Sequence, residues 1–362
     1  MLMSAAAASL SLIPFYSASS QGLDVYTSIN AIAYAENNSA YHLIKGTETT
    51  YNRSESAFTF NEFVIGTRYK NISFSLISRY EWFLGFTKDT MELYGTTVNG
   101  TLIEPDKRYD LDLKTNHIKT DGFRIAYHYD GFEGINLYGA ASYLKARELM
   151  VGETSGWASL TGDCGDGFEC YSGNLDLSYT YTEDKLFDRQ TNAPESLYGY
   201  SFDLGLDWQL TDSVFTSLYV QDVYSEVLWD QSPFTDAQAT TATSVIEDGK
   251  IKIEPVITGY EGNRDFKQKL PVKYNALLGY SRQAHTGYIQ GFQSYDTLLV
   301  NLGYQYRAGQ SQYLFKYYPL DQAFGVAYKS SIFDLALTSD SFDYQKTSIL
   351  EIRLGFSIPL YR

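Results

Sequence analysis

Four histidines and two cysteines are the side chains best suited to chemistry in this 362-residue chain, and their spacing assembles little of it. His42 and His285 lie in polar loop sequence, and His117 lies at the start of a strand. Only His128 falls on the polar face of a strand, near Arg124. There is no Gly-x-Ser-x-Gly elbow, no His-Glu-x-x-His pair and no phosphate-cradling glycine loop. A Ser-His-acid set assembled across strands is defined by geometry, so its absence does not follow from spacing. The sequence is read as that of a non-enzyme without a cofactor, with His128 as a wall residue and not a base.

Cys164 and Cys170 lie in the polar segment Thr161–Tyr171 with five residues between them. Zinc sites usually show Cys-x-x-Cys or a nearby histidine, and neither is present. A loop disulfide in an oxidising compartment is expected, with two reduced thiols as the alternative. Asp163, Asp166 and Glu169 offer oxygen ligands of the kind calcium takes, but not at EF-hand spacing. They are read as a solvated acidic loop, and no metal site is assigned.

The remaining candidates are charges, and placing them requires the elements that carry them. Successive strand residues point to opposite faces. From Tyr198 to Leu210 the residues Tyr198, Tyr200, Phe202, Leu204, Leu206, Trp208 and Leu210 alternate with Gly, Ser, Asp and Gln. Leu350, Ile352, Leu354, Phe356, Ile358 and Leu360 likewise oppose Glu351, Arg353, Gly355 and Ser357. Similar alternation recurs near 72–80, 123–129, 174–181, 272–281 and 297–307. Weaker strands are read at 23–35, 58–69, 135–147, 213–225, 248–258, 286–293, 311–318, 322–329 and 331–339. Turns are expected at Lys70-Asn71, Asp130-Gly131, Thr211-Asp212 and Ser330-Ser331. The stretches 36–57, 85–115, 148–171 and 226–247 are read as long loops.

Such long alternating segments match the roughly 9–11 residues that cross a bilayer at a tilt, where soluble sandwich strands are shorter. Aromatics at the ends of the apolar faces suit interface girdles. No apolar run reaches the roughly 20 residues of a membrane-spanning helix. The fold expected is all-β, a transmembrane antiparallel β-barrel of 14 to 16 strands, with a secreted sandwich as the alternative. Sixteen strands result from counting every candidate; fourteen result from dropping 286–293 and shifting one pairing. Residues 1–20 carry no charge and end in small residues, as an export signal does, leaving 21–362 as one barrel domain.

The closing segment Leu350-Glu-Ile-Arg-Leu-Gly-Phe-Ser-Ile-Pro-Leu-Tyr-Arg362 resembles the last strand of Gram-negative outer-membrane barrels. In that family such a strand ends in an aromatic and addresses the insertion machinery; here Tyr361 is followed by Arg362. Residues 270–358, from Leu270-Pro271, resemble the last strands of fatty-acid-transporter barrels, whose N-terminal plug has no counterpart after Ser20. The resemblance implies the bacterial outer membrane, contact with lipid and passage of small solutes or ions.

Parity sends Arg68, Arg79, Arg124, Lys273, Arg307 and Arg353 into the lumen, with Glu62, Asp176, Asp203, Asp207, Asp334, Glu351 and His128. These charges line a pore or brace the wall. Acidic residues outnumber basic ones 43 to 28, a net −15, which excludes a nucleic-acid surface. The wall charges balance, so the surplus falls in loops, notably at Glu92, Glu104, Asp106, Asp110 and Asp112. A cation-preferring, porin-like passive channel is expected, constricted by 85–115. The alternative is a binding or structural barrel with a blocked lumen whose long loops hold a partner.

Overall fold

The computed structural model describes residues 22–361 apart from 102–103, 105–106, 162–169, 185–190, 192–194, 242–243, 248–249 and 254–255. Cys164, Asp106, Asp163, Asp166, Glu169 and the 1–20 segment therefore lie outside the described residues. Cys170 opens a strand, and nothing is described of its side chain.

The first strands are β1 (Leu23–Ala35), β2 (Ser56–Tyr69), β3 (Ile72–Phe86), β4 (Arg108–Phe132), β5 (Ile135–Thr161), β6 (Cys170–Tyr181), β7 (Tyr198–Gln209) and β8 (Val214–Thr240). A small hairpin follows, β9 (Ser244–Glu247) and β10 (Lys250–Ile253). The chain continues through β11 (Val256–Gln268), β12 (Lys273–Arg282), β13 (His285–Ser294), β14 (Thr297–Ala308) and β15 (Ser311–Tyr318). It ends with β16 (Ala323–Lys329), β17 (Phe333–Ser339) and β18 (Ile349–Tyr361). Two helices, α1 (Ala40–Lys45) and α2 (Lys88–Val98), sit in connections.

Fourteen antiparallel strands close into a barrel. The ring runs β1 to β5, then β7, β8 and β12 to β18. It closes where β18 pairs with β1, from Asp24 opposite Pro359 to Tyr34 opposite Ile349. One rim has only short turns, including 70–71, 133–134, 283–284 and 309–310; this is the periplasmic rim in barrels of this type. The longer connections 36–55, 87–107 and 340–348 lie at the other, outer rim.

The barrel is far taller on one side. Strands β5 and β8 have 27 residues each, while β16 and β17 have 7. The lower half of β5 pairs with β7 and its upper half with β6. The lower half of β8 pairs with β7 and β12, its upper half with β6 and β11. So β6 stands above β7, and β11 above β12, in a sheet that rises past the ring.

These pairings correct several expectations. Residues 286–293 do form a strand, within β13, so fourteen is reached differently. Its outward face, His285, Gly287, Ile289, Gly291 and Gln293, carries little apolar surface, which hid it. Residues 226–240 are strand, not loop, because β6 and β11 give them partners above the ring. The β4–β5 turn falls at 133–134 and not at Asp130-Gly131, because β4 runs on to Phe132. The segment 85–115 holds α2 and the start of β4. There α2 packs on the outer rim: Met91 is buried with Ala35, Ala57 and Phe86, and Arg53 pairs with Asp89 at 2.7 Å.

Outward residues of the ring, such as Phe74, Leu76, Ile125, Leu204, Leu278, Leu302, Phe315 and Leu337, are exposed and apolar. Exposed tyrosine and tryptophan border this belt: Tyr127, Trp208, Tyr280 and Tyr306 toward the short-turn rim, Tyr80, Tyr143, Tyr224 and Tyr274 toward the other. Some inward positions are glycine because a neighbouring ring lies flat across them. A Cβ on Gly303 would stand 1.9 Å from Tyr288 Cζ, and one on Gly279 would stand 2.3 Å from Phe215 Cζ.

Candidate functional site: a bridged lumen and a cavity

Charged side chains from six strands meet at one level of the lumen, where they bond across it. Arg79 on β3 donates to Glu62 on β2 (2.9 Å) and to Asp222 on β8 (2.8 Å). Arg124 on β4 reaches the same Glu62 oxygen at 2.9 Å and Asp203 on β7 at 3.4 Å. Lys273 on β12 pairs with Asp222 at 2.9 Å and with Glu81 on β3 at 2.8 Å. The Gln221 amide donates to Glu62 at 3.1 Å, and Ser201 donates to Asp222. All of these charged side chains are buried. Each carboxylate faces at least one cation, the condition for holding such charges away from water.

Asp222 reaches this position through a distortion of β8. Phe202 pairs with Tyr224 and Leu204 with Val220, so β8 carries two extra residues there. Asp222 itself has φ +58°, a left-handed conformation that is uncommon for a residue other than glycine and is tolerated best by Asn and Asp. Its amide N–H donates to the Asp203 carboxylate at 2.9 Å.

The bridge runs from β3 to β8 and β12 and divides the lumen. On one side β4, β5, β7 and β8 close over a packed lobe holding Ala126, Tyr138, Ala140 and Tyr219. His128 is buried there edge-on to Tyr138, with ring centroids 5.0 Å apart. Asp207 is also buried there and accepts from Ser217 at 2.5 Å. Above the bridge the break between β11 and β12 crosses to β4: Gln268 donates to Asn116 at 2.8 Å and to the His117 carbonyl at 2.9 Å. Ile118, Leu149, Val227, Trp229 and Leu270 fill the space between.

On the other side a cavity of about 630 Å³ is bounded by β1, β2, β8 and β12–β18. It is lined from Arg68, Asp334 and the 330–332 turn at the short-turn rim up to Phe60, Phe292, Leu299 and Tyr318. Two ion pairs lie in its wall, Lys316–Glu351 at 2.5 Å and Arg353–Asp334 at 3.1 Å. Toward the outer rim it ends at an aromatic layer of Tyr34, Phe58, Phe83, Phe292, Tyr295 and Tyr318. Phe83 and Tyr295 stack at 3.4 Å between centroids, and a second void of about 20 Å³ lies between this layer and Glu81 and Lys273 of the bridge.

Of the residues that parity placed in the lumen, Glu62, Arg79, Arg124, Asp203 and Lys273 meet in the bridge. Arg68, Asp334, Glu351 and Arg353 line the cavity, while Asp207 and His128 belong to the packed lobe. Arg307 is half-buried at the short-turn rim. Asp176 is a correction: it is exposed on β6, above the ring, and accepts from Gln238 at 2.9 Å. Strand β6 alternates like a ring strand but stands outside the ring, so its polar face meets solvent. Parity missed Glu81, Asp222, Lys316 and Lys329. Glu81 was within its reach, since it shares a face of β3 with Arg79. Asp222 was not, because only the distortion turns it inward. Among the described loop acids, Glu92 pairs with Arg53 and Lys107, and Asp110 with Arg108.

A closed ring with an apolar exterior, aromatic borders and a polar, bonded interior is a transmembrane β-barrel of the outer-membrane class. Its place is the bacterial outer membrane. No family model matches the chain, and no curated protein matches it. Among solved structures it is similar to the Pseudomonas putida toluene transporter TodX, at 10% identity and TM-score 0.41 over 95% of this chain and 91% of that one. It is also similar to the Ralstonia pickettii toluene transporter TbuX, at 9% identity and TM-score 0.33 over 94% and 90%. A third is a Pseudomonas aeruginosa FadL homologue, at 9% identity and TM-score 0.27 over 93% and 89%. Likenesses of this degree decide nothing about cargo.

Proposed function

We propose that the barrel is a channel for small solutes that rests in a closed state. The observation that carries this reading is the cavity of about 630 Å³ inside the ring, separated from the outer rim by one layer of aromatic side chains. A purely structural barrel gains nothing from an unfilled half-lumen, whereas a transport protein needs an interior station with a barrier that side-chain motion can lift. The activity proposed is transport and not catalysis. Assembly by the barrel-insertion machinery belongs to the same reading and is supported by the alternating strand β18.

Passive passage with a preference for cations is the finer part of the proposal. It is supported by the net −15 of the chain, since acids at a low-dielectric mouth concentrate cations. The pairing of Glu92 and Asp110 with basic neighbours makes the preference modest. Single-channel recording in planar bilayers tests both parts. The native protein is expected to show rare, brief openings, and Phe58→Ala with Tyr295→Ala a sustained conductance. Reversal potentials in a KCl gradient should favour potassium at low salt and lose that bias near 1 M, where the Debye length is about 3 Å. Silence of both proteins would support the second reading, a binding barrel, which the ion-paired bridge across the lumen favours.

A further inference from the structure

We propose that Tyr295 is the gate of the channel, a ring that swings out of the aromatic layer about the bonds of its own side chain. This rests on reading the barrel as a solute channel and names what opens it.

The layer combines fixed side chains with one free one. Tyr34, Phe58, Phe83, Phe292, Leu299 and Tyr318 stand on paired strands, where pleat and ladder hold each side chain to one face. Among the described members of the layer Tyr295 alone is carried on a turn, the two-residue link 295–296 closed by the Ser294–Thr297 pair. It can therefore leave the layer without breaking a strand pairing. The turn lies at the outer rim, and Tyr295 is only half-buried there, whereas Tyr34, Phe58, Phe83 and Tyr318 are buried.

The turn is unusual for what it holds. Tyr295 has φ +49°, a left-handed backbone that is uncommon for a bulky residue. At the short-turn rim the left-handed turn positions hold Lys70 and Gln283, at φ +53° and +57°, and both residues are exposed. Here an aromatic ring takes such a place and folds inward, flat against Phe83 at 3.4 Å between centroids and 10° between planes. An unfavourable local choice of this kind points to a function more than to stability.

Opposed interactions act on the ring. The stack on Phe83 and the shelter of its apolar faces keep it in. Its hydroxyl works the other way. The Tyr295 Oη atom is buried and has no hydrogen-bond partner among the described residues, and swinging out returns it to water. Stack and stranded hydroxyl are effects of similar size. The ring thus divides its time between a dominant closed position and a rarer open one.

Single-channel recording on the full-length protein tests this by changing one interaction at a time. Tyr295→Phe keeps the stack and deletes the stranded hydroxyl, so openings should become about tenfold rarer. Phe83→Leu keeps an apolar side chain and deletes the stack, so openings should become more frequent. Tyr295→Ala alone should conduct as steadily as the Phe58→Ala, Tyr295→Ala protein. All variants should retain the heat-modifiable folded band on SDS gels. Unchanged openings in Tyr295→Phe, or a silent Tyr295→Ala beside a conducting double variant, would overturn the gate and leave the channel standing. Silence of every protein, the double variant included, would remove the channel reading and the gate with it.

Discussion

Arg79 is the residue on which the divided lumen turns, because it alone touches Glu62, Asp222 and, at 3.8 Å, Glu81. Replacing such pairs with apolar groups is often neutral, but removing one partner strands the others, at roughly 3–5 kcal/mol. Arg79→Met should therefore lower the temperature at which the folded band disappears from SDS gels, and Lys273→Met should do so to a similar degree. An unchanged melting temperature would mean that water reaches the bridge. The bridge was partly legible in the sequence, since period-two alternation assigns Glu62, Arg79, Arg124, Asp203 and Lys273 to the interior. It could not show that they meet, because partners such as Arg79 and Asp222 stand 143 residues apart. Nor could alternation find Asp222, whose left-handed backbone breaks the rule used to look for it.

At the scale of elements, the inward glycines let the wall pack against itself. Phe215 on β8 covers Gly279 on β12, and Tyr288 on β13 covers Gly303 on β14. Adding a methyl beneath a seated ring forces the ring off its rotamer, a cost of about 1–3 kcal/mol. Gly279→Ala should shift the urea midpoint of the barrel downward, and the double variant Gly279→Ala, Phe215→Leu should recover part of the loss. No recovery would mean that the ring is not the obstacle. Strands with complete alternation, such as β7, β14 and β18, could be read from sequence because lipid tests every outward residue. Strand β13 was weakly written, since two of its outward positions are glycine and its neighbours supply the belt. The stacking of β6 over β7 and of β11 over β12 was invisible for another reason. Alternation reports which face a residue takes, not which strand lies beside it.

For the whole molecule the decisive contact is between the first and last ring strands. Ser28 stands opposite Gly355 in the β1–β18 register. Directly opposed residues of an antiparallel pair lie about 4.5–5.5 Å apart, within the span of a disulfide. Ser28→Cys with Gly355→Cys should therefore cross-link on mild oxidation, and the product should migrate differently from the reduced chain after boiling. Failure to cross-link in folded protein would contradict the closure. The class of fold was legible because a closed sheet in lipid forces one face of every strand to be apolar. The state of the lumen was not, because a wet pore and a salt-bridged interior draw on the same inward charges.

The unequal height of the wall has a consequence for the lipid around it. Seven residues at about 3.3 Å each give β16 and β17 a length of roughly 23 Å. Tilted by about 40°, that is only some 18 Å of vertical reach, against an apolar band of about 25 Å. Acyl chains beside β16 and β17 must therefore shorten, or the cylinder must lean toward its low side. Leu320, Phe342 and Tyr344, exposed on the adjoining outer-rim turns, are placed to enter the leaflet that dips there. The protein thus carries a built-in hydrophobic mismatch on one flank, and that flank sets its orientation in the bilayer.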